Sequence, residues 1–174
     1  MAATAWSDEA VSEGGAAIQA TVDRQALRSD LEAARVAYHR MMASISESQW
    51  LQKAVNSEWT WREVMQHLAW AVEQLPDEVA SARQGKGMFN YPGWLANPAS
   101  YWITRWEARN VTRESLLLRY DVAIEAVMRT LDEVPESDWM KSAPFYGHGL
   151  YTVADLFQTP SAHLAEHTGG IVPN

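Results

Sequence analysis

The residues of this sequence whose types and spacing best suit chemistry are two histidines near its end. The stretch SAHLAEHTGG, residues 161–170, places His163 and His167 four positions apart, with Glu166 between them. Residues four apart on a helix project from one face, so both imidazoles can reach the same cation. A divalent ion needs at least one further protein ligand, and positive charge is mildly favoured near any helix C-terminus. This pair therefore leaves open a metal site and an ordinary pair of helix histidines.

His67, in the stretch WTWREVMQHLAW, is a candidate third ligand. It lies at the border of an apolar helical stripe, and a side chain in that position points towards a neighbouring helix. Two facing helices of a bundle can supply one and two ligands to a shared ion. Taken alone, His67 also fits a half-buried histidine that hydrogen-bonds a backbone carbonyl.

Glu166 is the candidate acid/base residue. HLAEH fits the H-x-x-E-H pattern of inverted zinc proteases, in which the glutamate is the general base and an acidic ligand lies well downstream. Only seven residues follow His167, and none is acidic, so we reject the protease interpretation. Glu166 is kept as a predicted proton-transfer residue beside the metal.

A second set of residues predicts a pocket beside these histidines. Trp70 lies one turn after His67, and PFYGHGLYT places Tyr146 and His148 in a glycine-flanked loop before the last helix. Such a loop could cover the mouth of a metal pocket, although an exposed loop histidine is the simpler interpretation of His148. His39 falls off its helical stripe and is predicted to lie on the surface. No phosphate-binding glycine loop or activated serine is evident.

Helical periodicity predicts the elements that must position these side chains. Apolar residues at steps of three and four predict a first helix of about 24 residues from Leu27. A capping box of Thr60 and Glu63 predicts the start of the second helix, and TRESLLLRYDVAIEAVMRTLDEV predicts a third long one. Pro76 predicts a kink or a division of the second helix. The fold class is therefore an all-α four-helix bundle, with long loops after helix 2 and before the last helix.

The last helix carries its own interruption. Thr159 and Pro160 stand in TVADLFQTPSAH and predict a helix that restarts, with the threonine as N-cap and the proline at the first position, just before His163. The two glycines at 169 and 170 predict its end. Strand signals are nearly absent, and both GKGMFNYPGWLANP and PESDWMKSAPFYGHGLY are predicted to be loops.

Composition sets the limits on partners and location. The 174 residues predict a flexible tail over 1–23 and a single domain over 24–174. A net charge of −8 with scattered basic residues argues against nucleic acid as a partner. No apolar run is long enough for a membrane span, and the absence of cysteine fits a cytoplasmic protein. Any thiol chemistry must therefore use a small-molecule thiol.

The sequence resembles the DinB/YfiT-like superfamily of bacterial four-helix bundles over about residues 24 to 171. The resemblance lies in the tryptophans before His67 in WTWREVMQHLAWAVE and in TVADLFQTPSAHLAEHTGGI. It implies a three-histidine divalent-metal site with an open coordination position, formed by His67, His163 and His167. Enzymes of that superfamily include metal-dependent thiol transferases that use mycothiol or bacillithiol, and mycothiol-dependent maleylpyruvate isomerase.

We therefore expect a metal-dependent enzyme that acts on a small molecule by thiol transfer, isomerisation or hydrolysis. Zinc, nickel and iron all suit three imidazoles, and a low-molecular-weight thiol is the expected co-substrate. Two alternatives remain. One is a non-catalytic bundle that binds a small apolar or aromatic molecule, for which the tryptophan-rich residues 94–106 are the support. The other is a stress-linked dimer, and a homodimer is also expected of the enzyme.

Overall fold

The computed structural model describes residues 22–55, 57–87, 102–146 and 148–167. Its helices are α1 (Arg24–Ser44), α2 (Trp61–Ala82), α3 (of which residues 102–107 are described), α4 (Arg113–Glu133), α5 (Val153–Leu156) and α6 (Thr159–His167). Two 3₁₀ turns cover Ala108–Asn110 and Glu136–Asp138. The helices α1, α2, α4 and α6 form the predicted bundle, and the all-α fold class is confirmed. α4 and α6 each pack against both α1 and α2.

Helices α1 and α4 run antiparallel and cap each other. The Arg24 guanidinium, at the start of α1, donates to the carbonyl oxygens of Leu131 and Val134 at the end of α4, at 3.1 and 2.6 Å. Arg113, at the start of α4, donates to the carbonyl oxygen of Met42 at 3.0 Å. Each arginine thus satisfies carbonyl groups that the other helix cannot pair internally. Between these ends lie the ion pairs Arg28–Asp132 and Arg35–Glu125, and His39 Nε2 lies within hydrogen-bond distance of the Asp121 carboxylate at 2.8 Å.

The predicted apolar stripes form the core. Tyr38 of α1 stacks on Tyr120 of α4, with ring centroids 3.8 Å apart, and its hydroxyl donates to the carbonyl oxygen of Met65 in α2 at 2.9 Å. One side chain thereby joins three helices at the centre of the bundle. All stripe residues predicted for the first and third long helices are buried: Leu27, Leu31, Ala34, Tyr38, Met41, Met42, Ile45, Leu116, Tyr120, Ala123, Ile124, Val127, Leu131 and Val134.

Two local predictions need correction. Of the kink or division predicted at Pro76, the division is wrong: α2 runs unbroken through Pro76, because a proline removes only one helical hydrogen bond and α2 is held by packing against α4 and α6. The predicted loop before the last helix contains a hairpin, in which β1 (Ser142–Pro144) pairs antiparallel with β2 (Leu150–Thr152). Strands of three residues are too short to show an alternating pattern.

Several predictions lie outside the described residues. They include most of the tail over 1–23, the greater part of the loop after helix 2, and the two glycines predicted to end the last helix. Of the tail, Val22 packs against the core and the Asp23 carboxylate accepts from the backbone N–H of Ala26 as the N-cap of α1. None of the described helices combines the length and apolarity that a bilayer crossing requires.

Two leucines of α4, two positions apart, differ in burial and should therefore differ in their contribution to the free energy of unfolding. Leu116 is fully buried and Leu118 is 65% exposed. Leu116→Ala should lower the free energy of unfolding by about 2–5 kcal/mol, because it leaves a cavity in the core. Leu118→Ala, the matched control, should change it by less than about 0.5 kcal/mol. Urea unfolding of both variants measures the difference, and similar losses would contradict the packing described here.

Candidate metal centre

The start of α2 fixes the position of His67. The Thr60 hydroxyl accepts from the backbone N–H of Glu63 at 3.3 Å, and the Glu63 carboxylate accepts from the backbone N–H of Thr60 at 2.7 Å. This reciprocal pair confirms the predicted capping box and holds the first turn of the helix. His67 follows one turn after Glu63, on the side of α2 that meets α6.

A break before α6 positions the other two histidines. Thr159 is the first residue of α6, and its hydroxyl donates to the carbonyl oxygen of Leu156 at the end of α5, at 2.7 Å. Pro160 is buried in the first turn of α6, where a backbone N–H has no partner within the helix. The predicted restart is confirmed, although it begins one residue earlier than expected. His163 and His167 then lie one turn apart on one face.

The three imidazoles meet at their Nε2 atoms. His163 Nε2 lies 3.1 Å from His67 Nε2 and 3.0 Å from His167 Nε2. One ligand atom from each of the three residues lies within 4.8 Å of the others. Tetrahedral bonds of about 2.0–2.1 Å to one ion would place its ligand nitrogens about 3.3 Å apart. The separations therefore suit a shared divalent ion after small side-chain adjustments.

Hydrogen bonds among the three rings cannot satisfy all three nitrogens. A ring nitrogen of a neutral imidazole carries either one proton or one lone pair. His163 Nε2 contacts both other rings, so it can take part in only one of the two hydrogen bonds. If all three Nε2 atoms present lone pairs, they repel one another, and a cation removes that repulsion. The buried Nδ1 of His67 has no hydrogen-bond partner among the described residues.

Burial keeps these histidines neutral. Burial, with smaller effects of His163 and His167, lowers the pKa of His67 to about 3. Burial also lowers the pKa of His163 to about 4, helped by His167 and His148. It lowers the pKa of His167 too, against the opposing charge of Glu166. Neutral imidazoles are the form that binds metal ions, so the site is prepared for a cation near pH 7.

Two tryptophans flank the cluster. The ring centroid of Trp59 lies 4.7 Å from that of His67 and 6.0 Å from that of His167, nearly parallel to the latter. Trp70 lies 6.4 Å from His67 between ring centroids. Both indoles are half-buried, and they present apolar faces to the rings. Water therefore approaches the cluster from fewer directions.

Comparison with known proteins identifies the family. The sequence profile of the DinB superfamily matches residues 30–171. This chain belongs to the DinB superfamily. Its fold is similar to the crystal structure of the mycothiol-dependent maleylpyruvate isomerase, with a TM-score of 0.66 and 12% sequence identity over 87% of this chain. A histidine-to-alanine mutant of that enzyme matches equally well.

The match covers only part of the longer relative. This DinB-superfamily chain spans 65% of the length of the isomerase structure, and at 12% identity the likeness concerns the fold alone. No curated protein sequence matches it significantly. The predicted membership of the superfamily is confirmed, whereas the reaction has to be argued from the site.

The other predicted site residues of this DinB-superfamily protein lie at differing distances from the cluster. Glu166 is exposed beside His167 on α6. His148 is exposed, and its interaction with His163 contributes to the lowered pKa of that imidazole. The Tyr146 hydroxyl lies elsewhere: it donates to the buried carboxylate of Glu78 at 2.6 Å, eleven positions after His67 on α2. That spacing corresponds to about 16 Å of helix.

Trp59 is a residue of the site that was not predicted as such. It belongs to the tryptophans that carry the family resemblance, but the position of its ring is not open to prediction, because Trp59 precedes α2 and no helical period applies there. The sequence signal that could have indicated a role for Trp59 is its position eight residues before the candidate ligand His67.

The lowered histidine pKa values predict a pH dependence for the metal-free protein. An unfolded chain takes up protons on its histidines near pH 6.5, whereas the folded chain takes them up only near pH 3–4 at His67 and His163. Stability is therefore full above about pH 6.5 and is lost as the pH falls below it. Between about pH 7 and pH 5, the loss should be on the order of 1–2 kcal/mol per histidine.

Urea unfolding in chelator at the two pH values measures this dependence. His163→Gln should show a smaller loss than the wild type, because one of the two strongly shifted groups is gone. Leu118→Ala, an exposed substitution without a titratable group, should keep the wild-type dependence. An equal loss in His163→Gln would show that this imidazole does not resist protonation in the folded state.

Proposed function

We propose that this protein is a metal-dependent enzyme that acts on a small molecule, with a divalent ion held by His67, His163 and His167. The observation that carries the proposal is the approach of the three Nε2 atoms of half-buried histidines, at 3.1 and 3.0 Å about His163. Membership of the DinB superfamily supports it, as does the low pKa of His67 and His163. Zinc, nickel and iron are the ions that we propose, since imidazole ligands suit all three.

Three neutral ligands leave the full charge on the ion. When bound, such an ion supplies Lewis acidity that lowers the pKa of water or of a thiol into the neutral range. The chain contributes the neutral imidazoles, their fixed positions on α2 and α6, and the indoles of Trp59 and Trp70 that limit access of water. Three protein ligands also leave a coordination position for a substrate.

A small-molecule thiol is the co-substrate that we propose. The chain contains no cysteine, so a thiol must enter from solution. The fold is similar to an isomerase that depends on mycothiol, a low-molecular-weight thiol. Thiol transfer and isomerisation both use such a thiol, and hydrolysis would use water at the same position. The reactions are therefore distinguished by whether the purified protein consumes the thiol, requires it but regenerates it, or works without it.

Glu166 is the proposed proton-transfer residue. It is exposed beside His167, and its charge favours the protonated form of that imidazole. An exposed carboxylate next to the cluster can exchange protons with solvent and with a bound substrate. His148, which is exposed, and Trp70 are the proposed borders of the substrate pocket. The homodimer and the cytoplasmic location stay predictions.

Metal uptake tests the site directly. The purified protein, loaded with Zn²⁺ and dialysed, should retain one ion per chain by elemental analysis, and His67→Gln and His163→Gln should retain none. His39→Gln, which removes a histidine from α1, is the control and should bind as the wild type does. Because the ion binds only the folded state, free Zn²⁺ at about 100 times its dissociation constant should raise the free energy of unfolding by about 2.7 kcal/mol. Absence of retained metal in the wild type would refute the site.

Turnover tests the enzyme. With metal present, the protein should do one of three things: consume mycothiol together with an electrophilic small molecule, isomerise a substrate such as maleylpyruvate with mycothiol required but regenerated, or hydrolyse an ester when no thiol is supplied. Glu166→Gln should keep one ion per chain while its kcat falls by about 10²-fold, as expected for loss of a general acid or base. Equal rates for the chelated and metal-loaded proteins would favour the alternative, a bundle that only binds small molecules.

A further inference from the structure

A groove between α2 and α3 has the composition of a ligand site. It encloses about 560 Å³, within the range of about 300–1,000 Å³ that small-molecule sites occupy. Its lining consists of Arg62, Glu63, Trp102, Arg105, Trp106 and Arg109. The four residues from α3 and the turn after it follow the i, i+3, i+4, i+7 spacing of one helical face. Two indoles and two guanidinium groups therefore alternate along one wall of the groove.

The charge of the groove is opposite to that of the chain. Three of the 14 basic residues line it, in a protein whose net charge is −8. Arg105 pairs with Glu63 at 3.1 Å, which neutralises one guanidinium. Arg62 and Arg109 form no ion pair with an acid of the described residues. The buried Nε of Arg62 also has no hydrogen-bond partner there, although another of its nitrogens donates to the Arg109 carbonyl oxygen at 3.3 Å.

The indoles of the groove are unusually exposed. Trp102 and Trp106 are 66% and 69% exposed, and large aromatic side chains in such positions commonly mark binding surfaces. An aromatic ring can stack on an indole or on a guanidinium plane. The lining thus offers flat apolar faces beside donors for an anion.

A polar network holds the two walls in place. The Gln66 side chain donates to the Glu107 carboxylate of α3 at 3.0 Å and accepts from Arg119 of α4 at 2.7 Å. Arg119 also donates to both carboxylate oxygens of Glu73 at 2.7 Å. A groove whose walls are connected in this way is organised before a ligand arrives, which lowers the entropic cost of binding.

We propose that this groove binds a small planar aromatic carboxylate, with its ring against Trp102 and Trp106 and its carboxylate on the Arg62 and Arg109 guanidinium groups. A guanidinium group donates two parallel hydrogen bonds to a carboxylate. If two copies of the chain paired through this groove across a two-fold axis, the arginines of one copy would face those of the other. Their like charges disfavour a second copy of the chain as the occupant of the groove. Two unpaired arginines are also too few for a nucleic-acid backbone in an acidic protein. None of the three histidines lines the groove, so the proposal goes beyond the metal site.

Calorimetric titration of the full chain with 2-naphthoate tests the proposal. The neutral 2-naphthamide and the non-aromatic cyclohexanecarboxylate are the matched probes, and both should bind at least about tenfold more weakly. Arg62→Gln should weaken naphthoate binding about tenfold or more, because it removes a charge-assisted contact. Trp106→Ala should weaken it by about three- to tenfold.

Control variants separate the groove from general effects. Arg129→Gln and Leu118→Ala, exposed on α4, should bind naphthoate as the wild type does. If Arg62→Gln does not fold, the exposed Arg109→Gln provides the same test. His67→Gln should keep naphthoate affinity, so a failure of the metal site leaves this result interpretable. Equal binding of naphthoate and naphthamide, or a dimer by sedimentation that Trp106→Ala dissociates, would overturn the proposal.

Discussion

The three histidine nitrogens are held in a position that they would not adopt by themselves. A buried polar group that lacks a hydrogen bond costs about 1–3 kcal/mol, and the contacts among these rings leave at least one Nε2 atom and the His67 Nδ1 without a complete partner among the described residues. Packing must offset that cost. Pro160 and Leu164 of α6 are buried on either side of His163, and they seat the helix between α1 and α2. The packing of the core therefore determines where the histidines lie. A bound cation would supply a partner for the Nε2 lone pairs that this packing brings together.

The position of the histidines on α6 depends strongly on core packing because α6 is short. A helix of nine residues has little stability of its own, since nucleation costs more than so few hydrogen bonds return. Its position follows from α1 and α2, on which it packs, and α1 is in turn held by α4, since the first arginines of these two helices cap each other's last turns. The break at Phe157 and Gln158, just before Pro160, frees α6 from the direction of α5 and allows its histidine face to turn towards α2. A proline that sequence analysis treats as a disturbance is compatible with the site because it occurs in a first turn.

The long elements and the pairing of His163 with His167 were open to prediction because their signals are local and periodic, whereas the addition of His67 to that pair rested on the resemblance to the DinB/YfiT-like superfamily. The stripes of α1 and α4 repeat at 3.6 residues, and the capping box of Thr60 and Glu63 marks a helix start within four residues. The short hairpin of β1 and β2, the continuity of α2 through Pro76, and the placement of Trp59 depend on contacts between distant parts of the chain. The same holds for Tyr146, whose hydroxyl reaches Glu78 rather than the histidines. No spacing in the sequence reports such contacts, so they appear only in the folded structure.

Helix α2 carries residues of both proposed sites, and the proposed anion ligand and metal ligand of this helix lie on different sides of it. Arg62 and His67 are five positions apart, which places them roughly 140° from each other around the helix axis. The histidine side faces α6, and the arginine side faces α3 and α4. The two sides of the helix bind ligands of opposite charge for different physical reasons. Burial makes the imidazoles neutral, and their nitrogens can therefore bind a cation. Guanidinium groups stay charged in any surroundings and can therefore bind an anion. A cation at one side and an anion at the other need not compete for ligands, and a single rigid helix can support both.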